Sequence, residues 1–255
     1  MSSPMLDARG ISVRFGGVQA LDNVDIAVHA GQVVGLIGPN GAGKTTFIDA
    51  VTGFVPYRGS VQIDDIDLTS KRPHERVQAG LGRTWQAVEL FGALSVAENV
   101  AVSAHRPTTF STLRELLAVP KPPSAAVADS LAALGISQFA EAKPDQLSEG
   151  QRKLVGIARA LAARPKVLCL DEPAAGLDTG ESAVLGQQLR ELADRGQSML
   201  LIDHDISFVF GTCDHVVVLD FGKVIAAGGA AAIQSDPRVI EAYLGTATSI
   251  AEQDL

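Results

Sequence analysis

Aromatic side chains, cysteines and surplus positive charge are all scarce in this chain of 255 residues: 5% are aromatic, two are Cys, and 21 Lys and Arg face 29 Asp and Glu. Each shortage excludes something. Two thiols cannot frame a disulfide-stapled fold, and Cys169 lies in an apolar run where a buried thiol packs as a small hydrophobe, so a reducing compartment is expected. A net charge of -8 has the wrong sign for holding nucleic acid or anionic lipid by bulk attraction. No nucleic-acid partner is therefore expected, and any phosphate has to be gripped locally. No window approaches the ~20 apolar residues that span a bilayer. The opening Met1-Ser2-Ser3-Pro4-Met5-Leu6-Asp7 lacks the basic flank and apolar stretch of a signal peptide. A membrane role would need partners. What is present, 46% hydrophobic and 20% charged residues, suffices to bury a full core and sets aside disorder, collagen and coiled coil.

Short runs rich in Val, Ile and Leu recur at 33–37, 167–170, 199–202 and 216–219, bounded by turn signals. Strands covered on both faces look like this, so the expectation is an α/β fold with a mostly parallel sheet. Residues 11–15 and 24–28 instead alternate apolar and polar around Gly16-Gly17 and Ala30-Gly31, the pattern of an N-terminal antiparallel β layer that 61–64 joins. From about 88 to 164 strand runs are missing and helical patterns appear around 96–102, 113–119 and 125–134, with a Pro-rich loop at 119–123. This predicts a helical subdomain, 88–164, inserted into a core formed by 1–87 and 165–255. The polar tail from 246 on is expected to fray.

The strongest local signal is Gly38-Pro39-Asn40-Gly41-Ala42-Gly43-Lys44-Thr45-Thr46, set between an apolar strand run and the helical pattern 47–51. Glycines let the backbone curl so that successive N–H groups face one ligand, and the following helix adds its positive dipole end. Lys44 would reach the β- and γ-phosphates, and the Thr45 hydroxyl would supply an oxygen to Mg²⁺. Nucleotide binding follows, though not which nucleotide.

Two further strand runs end in polar groups. Leu170 is followed by Asp171-Glu172-Pro173, and Ile202 by Asp203-His204-Asp205. Both emerge at the carboxyl edge, where open α/β sheets bind ligands. Asp171 suits the Mg²⁺-organising acid, Glu172 the group that orients and activates water, and His204 a donor to the γ-phosphate. Further back, Ser148-Glu149-Gly150-Gln151 opens an apolar-faced helix, and Ser148 with Gln151 is a capping-box signature. A glycine in that first turn costs about 1 kcal/mol relative to Ala. Gly150 is therefore read as a place where a phosphate comes close.

Taken in order, the phosphate loop, Gln86, the segment 147–151, Leu170 to Pro173 with Ala175-Gly176-Leu177-Asp178, and His204 resemble the ATP-binding subunit of ABC transporters over essentially the whole chain. The resemblance implies a phosphate-loop, RecA-like core and a head-to-tail dimer. Ser148, Glu149, Gly150 and Gln151 of one copy would close over ATP and Mg²⁺ held by the other. Gln86 would touch Mg²⁺ or the attacking water and relay to transmembrane permease subunits, Asp178 would sit at the dimer seam, and Phe15 would stack on adenine. Segments such as Arg14-Phe15-Gly16-Gly17, Gly82-Arg83-Thr84-Trp85-Gln86 and the ending 236–245 further resemble branched-chain amino acid importers, which commonly pair two different ATP-binding subunits and serve a solute-binding protein. The resemblance implies a peripheral place on the cytoplasmic face of the inner membrane. The lipopolysaccharide-export ATPase shares much of the pattern and is the nearest alternative. A soluble ABC protein of DNA repair or the ribosome would more often carry coiled coils or two fused ATPase units, and a GTPase switch would show Asn-Lys-x-Asp, which is not in the sequence. Glu149 and Asp203 depart from the family's commoner Gly and Glu.

Overall fold

The structure is a computed structural model that describes residues 3–85, 89–104 and 124–243. Gln86, the pattern at 113–119, the Pro-rich stretch and the tail lie outside the described residues. The apolar runs form β3 (Val33–Ile37), β7 (Val167–Asp171), β8 (Ser198–Ile202) and β9 (His215–Asp220) of a six-stranded sheet. Its order is β10-β9-β3-β8-β7-β6, with β6 at Leu81–Arg83 and β10 at Lys223–Gly228. All neighbours are parallel except β9 and β10. The alternating segments form the antiparallel sheet β2-β1-β4-β5, made of β2 (Val18–Val28), β1 (Leu6–Phe15), β4 (Arg58–Ile63) and β5 (Ile66–Asp67).

Pleating explains why the central runs are apolar throughout. Val34 and Leu36 of β3, Val167 and Cys169 of β7, Leu200 and Ile202 of β8 and Val217 and Leu219 of β9 join one apolar cluster. That cluster includes the antiparallel layer and Phe47, Ile48 and Val51 of α1 (Lys44–Thr52). The alternate residues Val33 and Ile37, Leu168 and Leu170, Met199 and Leu201, and Val216 and Val218 join a second cluster on the other face. Each such side chain contributes roughly 1.5–3 kcal/mol on full burial. The second cluster is built with α3 (Val96–Ala104), α4 (Ala125–Ala133), α5 (Glu149–Ala162), α6 (Thr179–Asp194), α7 (Ile206–Thr212) and α8 (Ala230–Gln234). The short α2 (Pro73–Ala79) lies against the first cluster through Ala79. The helices of the central segment share one continuous apolar cluster with the sheet.

Three strands were not expected, the two-residue β5 beside β4 being the first. Leu81-Gly82-Arg83 is too short to show a pattern, and it pairs with β7 at the sheet's edge because Gly82 lets Pro165 pack closely: a Cβ there would stand 2.9 Å from the Pro165 ring. β10 closes the opposite edge as a hairpin partner of β9.

Candidate nucleotide site

Register brings the chemistry together. Leu36 pairs with Ile202, and Ile202 with Asp171, so β3, β8 and β7 end level and release their loops side by side. The loop after β3 is the glycine loop. A Cβ on Gly38 would run into the Leu219 carbonyl, and one on Gly43, whose φ is 105°, would lie 2.7 Å from the Ala20 carbonyl. Only glycine permits these approaches. Gly43 is also the N-cap of α1 and no side chain caps that helix, which leaves its first N–H groups to the loop's mouth. Lys44 is buried and donates to the carbonyls of Gly38 (2.7 Å) and Pro39 (2.9 Å), and burial lowers its pKa against the pull of Glu172. Pro39, Asn40, Gly41 and Ala42 border a hollow of about 650 Å³ whose far wall includes Phe221 and Arg238.

Asp171 is buried, with burial pushing its pKa up while Arg83 opposes. Its Oδ2 accepts from Arg83 Nη2 at 3.1 Å. Glu172 adopts a left-handed φ of 49°, a conformation that carries strain in a non-glycine residue, and its N–H donates to the Ile202 carbonyl at 2.8 Å. The His204 side chain is mostly exposed, with Nδ1 3.9 Å from Glu172 Oε2 and 3.6 Å from Asp203 Oδ1. Phe15 is half exposed beside the β1–β2 turn. The structure thus brings Gly38 to Thr46, Asp171, Glu172 and His204 to one edge.

Ser148 to Gln151 behave as a capping box: Gln151 N–H donates to Ser148 Oγ and Ser148 N–H to Gln151 Oε1. With Leu177, Gly180, Glu181 and Gln188, Ser148 and Gly150 border a separate hollow of about 350 Å³ that includes no residue of the phosphate loop. Gly150 has a reason the sequence did not supply. It is buried, and a Cβ would stand 3.0 Å from Glu181 Oε1 and 3.1 Å from Leu177, so close packing within the chain also favours a small residue there. Glu149 lies over the following turn, with Oε1 2.9 Å from where a Cβ on Gly176 would be. Asp178 caps α6, accepting from Glu181 N–H at 2.8 Å.

Sequence reasoning missed several supports. Asp203, nearly solvent-free, accepts from Ala174 N–H (2.9 Å) and Asp205 N–H (3.0 Å), tying the loop after β7 to the loop after β8. Lys153 is buried and donates to the Ala175 carbonyl; burial lowers its pKa while Glu149, Asp203 and Glu172 oppose. Tyr243 meets the Gly38 backbone with its hydroxyl, and burial pushes its pKa up to about 12. Its only sequence signal was its place in the quoted ending.

A family model described as ABC transporter matches residues 21–175, and one described as branched-chain amino acid ATP-binding cassette transporter matches 223–248. The high-affinity branched-chain amino acid transport ATP-binding protein BraF of Pseudomonas aeruginosa is 36% identical, with 97% of this chain and 100% of that protein covered. The lipopolysaccharide export system ATP-binding protein LptB of Acidithiobacillus ferridurans is 35% identical over 95% of this chain and 98% of its own. The ATP-binding cassette MJ1267 in its ADP conformation has a TM-score of 0.83 at 34% identity, covering 96% of this chain and all of that one. The chain belongs to the ABC transporter family as one of its ATP-binding, ATP-hydrolysing subunits. Its α/β architecture is that of the family's nucleotide-binding cassettes.

Proposed function

We propose that the chain powers uptake of branched-chain or other hydrophobic amino acids, working with transmembrane permease subunits at the cytoplasmic face of the membrane and indirectly with a solute-binding protein. The observation that carries this reading is end-to-end similarity to BraF together with the match of residues 223–248 to the branched-chain amino acid cassette model. Among the described residues no helix is long and apolar enough to cross a membrane, which fits a peripheral subunit. The similarity to LptB keeps export of lipopolysaccharide as the second reading.

In this reading residues 38–46 cradle the phosphates of ATP, Lys44 leaves its loop carbonyls to contact them, and Phe15 stacks on adenine. The hydroxyl of Thr45 and the carboxylate of Asp171 are hard oxygen donors of the kind Mg²⁺ takes, with Gln86 as a further ligand. Mg²⁺ bound there would neutralise charge on the phosphates. Glu172 orients and activates the attacking water, and His204, with its Nδ1 3.9 Å from the Glu172 carboxylate, donates to the γ-phosphate. The second hollow supports a site shared between two copies, or with a sister ATPase: Ser148, Glu149, Gly150 and Gln151 close the partner's nucleotide while Asp178 lies at the seam. The segment 88–164 then acts as the helical subdomain that carries closure to the permease. Copurifying membrane partners and measuring ATP-dependent uptake of leucine, isoleucine and valine in vesicles tests this. Partners that move lipid instead, or an absence of membrane partners, would overturn it.

A further inference from the structure

The segment Gly82-Arg83-Thr84-Trp85 holds a buried cation that the reading above leaves without a task. Arg83 lies opposite Cys169 in the β6–β7 ladder, so pleating turns it to the same sheet face as Asp171, two residues on and facing α1. Its Nη1 donates to Asp49 Oδ1 of α1 at 2.6 Å and to Thr52 Oγ1 at 3.1 Å, and its Nη2 donates to Asp171 Oδ2 at 3.1 Å. The guanidinium lies 4.1 Å from the Trp85 ring centroid, and Trp85 meets Phe54 edge-on at 5.0 Å. Nε is buried with no hydrogen-bond partner among the described residues. Arg76 makes the contrast. It is also buried but spends its donors on the carbonyls of Lys71, Ala50 and Val51, the pattern of a structural brace. An arginine kept only for stability has no reason to leave a buried donor orphaned while two of its N–H groups are aimed at separate carboxylates.

We propose that Arg83 is a positioning residue for the phosphate-loop chemistry: it fixes the rotamer of Asp171 by taking Oδ2, and through its stack on Trp85 it transmits cation arrival at Asp171 to the segment Thr84-Trp85 that follows β6. The proposal rests on the reading of Asp171 as the Mg²⁺ acid. Second-tier partners of this kind commonly change metal affinity by about 10–100-fold when removed. The chain carries its own reporter, because Trp85 is its single tryptophan.

The test uses the purified full chain with ADP, so that no turnover intervenes, and with Mg²⁺ or EDTA. In the unaltered chain Mg²⁺ should tighten ADP binding by calorimetry and shift the tryptophan emission. Arg83→Met should bind ADP in EDTA within about twofold of the unaltered chain, lose about tenfold or more of the Mg²⁺-dependent gain and show no emission shift. Arg83→Lys keeps the charge without the fork or the planar stack, so it should retain part of the gain and lose the shift; it decides the matter if the Met variant does not fold. Arg76→Met should lower thermal stability yet keep both responses. Asp171→Asn separates the two readings. If it abolishes the gain while the Arg83 variants keep gain and shift, Arg83 is a structural residue and the proposal falls alone. If Asp171→Asn itself keeps the full gain, the assignment of the acid falls first. Emission indifferent to Mg²⁺ in the unaltered chain would overturn the coupling to Trp85.

Discussion

The phosphate loop and the start of α5 are both helix N-termini, yet they are built in opposite ways. Gly38 and Gly43 of the loop are dictated by close backbone neighbours, its lysine is buried, and no side chain caps its helix. The start of α5 has its cap fully formed by Ser148 and Gln151 while Ser148 and Glu149 stay exposed. One terminus has no side chain on its N–H groups; the other has the Gln151 N–H taken by the Ser148 hydroxyl. In the proposed reading the first binds phosphate alone, whereas the second adds something only when another copy brings a nucleotide to it.

Breaking the first half should have the larger effects. Glu172→Gln should lower ATP turnover, assayed with the partner subunits, by about 10²–10⁴-fold while leaving ATP binding intact, and it should trap an ATP-dependent dimer visible by light scattering. Lys44→Ala removes a charged donor worth about 1.5–3 kcal/mol, so ATP affinity measured by calorimetry should fall at least about tenfold. On the other half, Ser148→Arg should leave the affinity of the isolated chain for ATP unchanged and lower hydrolysis in mixed-subunit complexes by about tenfold or more, the scale of a 1.4 kcal/mol contact. Normal hydrolysis there would remove the shared site. The smallest effect sharpens the comparison: Ser148→Ala loses a helix cap of about 1 kcal/mol, lowering the melting temperature by roughly 2–4 °C with no change in the chain's own nucleotide affinity.

Much of the fold could be read in advance because burial on both faces writes continuous apolar runs, as in β3, β7, β8 and β9. β6 could not, since Leu-Gly-Arg carries no period at three residues and is held by its neighbour. In the site, the contiguous groups were legible: the glycine loop, Asp171-Glu172 and the capping box. The supports were not, because they act across distance in the chain. Asp203 bonds Ala174, 29 residues away, and Arg83 joins Asp49 and Asp171, 34 and 88 residues away. Gly150 was legible as an anomaly, but its packing neighbours were not, because Leu177 and Glu181 arrive from the turn before α6 and from its first turn.

The level strand ends carry one more consequence. β8 is laddered on both sides, to β3 and to β7, and its side chains alternate between the two apolar clusters. Adding a single residue inside it would exchange its two faces and carry His204 forward by about 3.3 Å, away from Glu172. Insertions and deletions should therefore disrupt the fold within this strand and be tolerated only where the chain leaves the ladders, so that this sheet edge evolves by substitution and not by change of length.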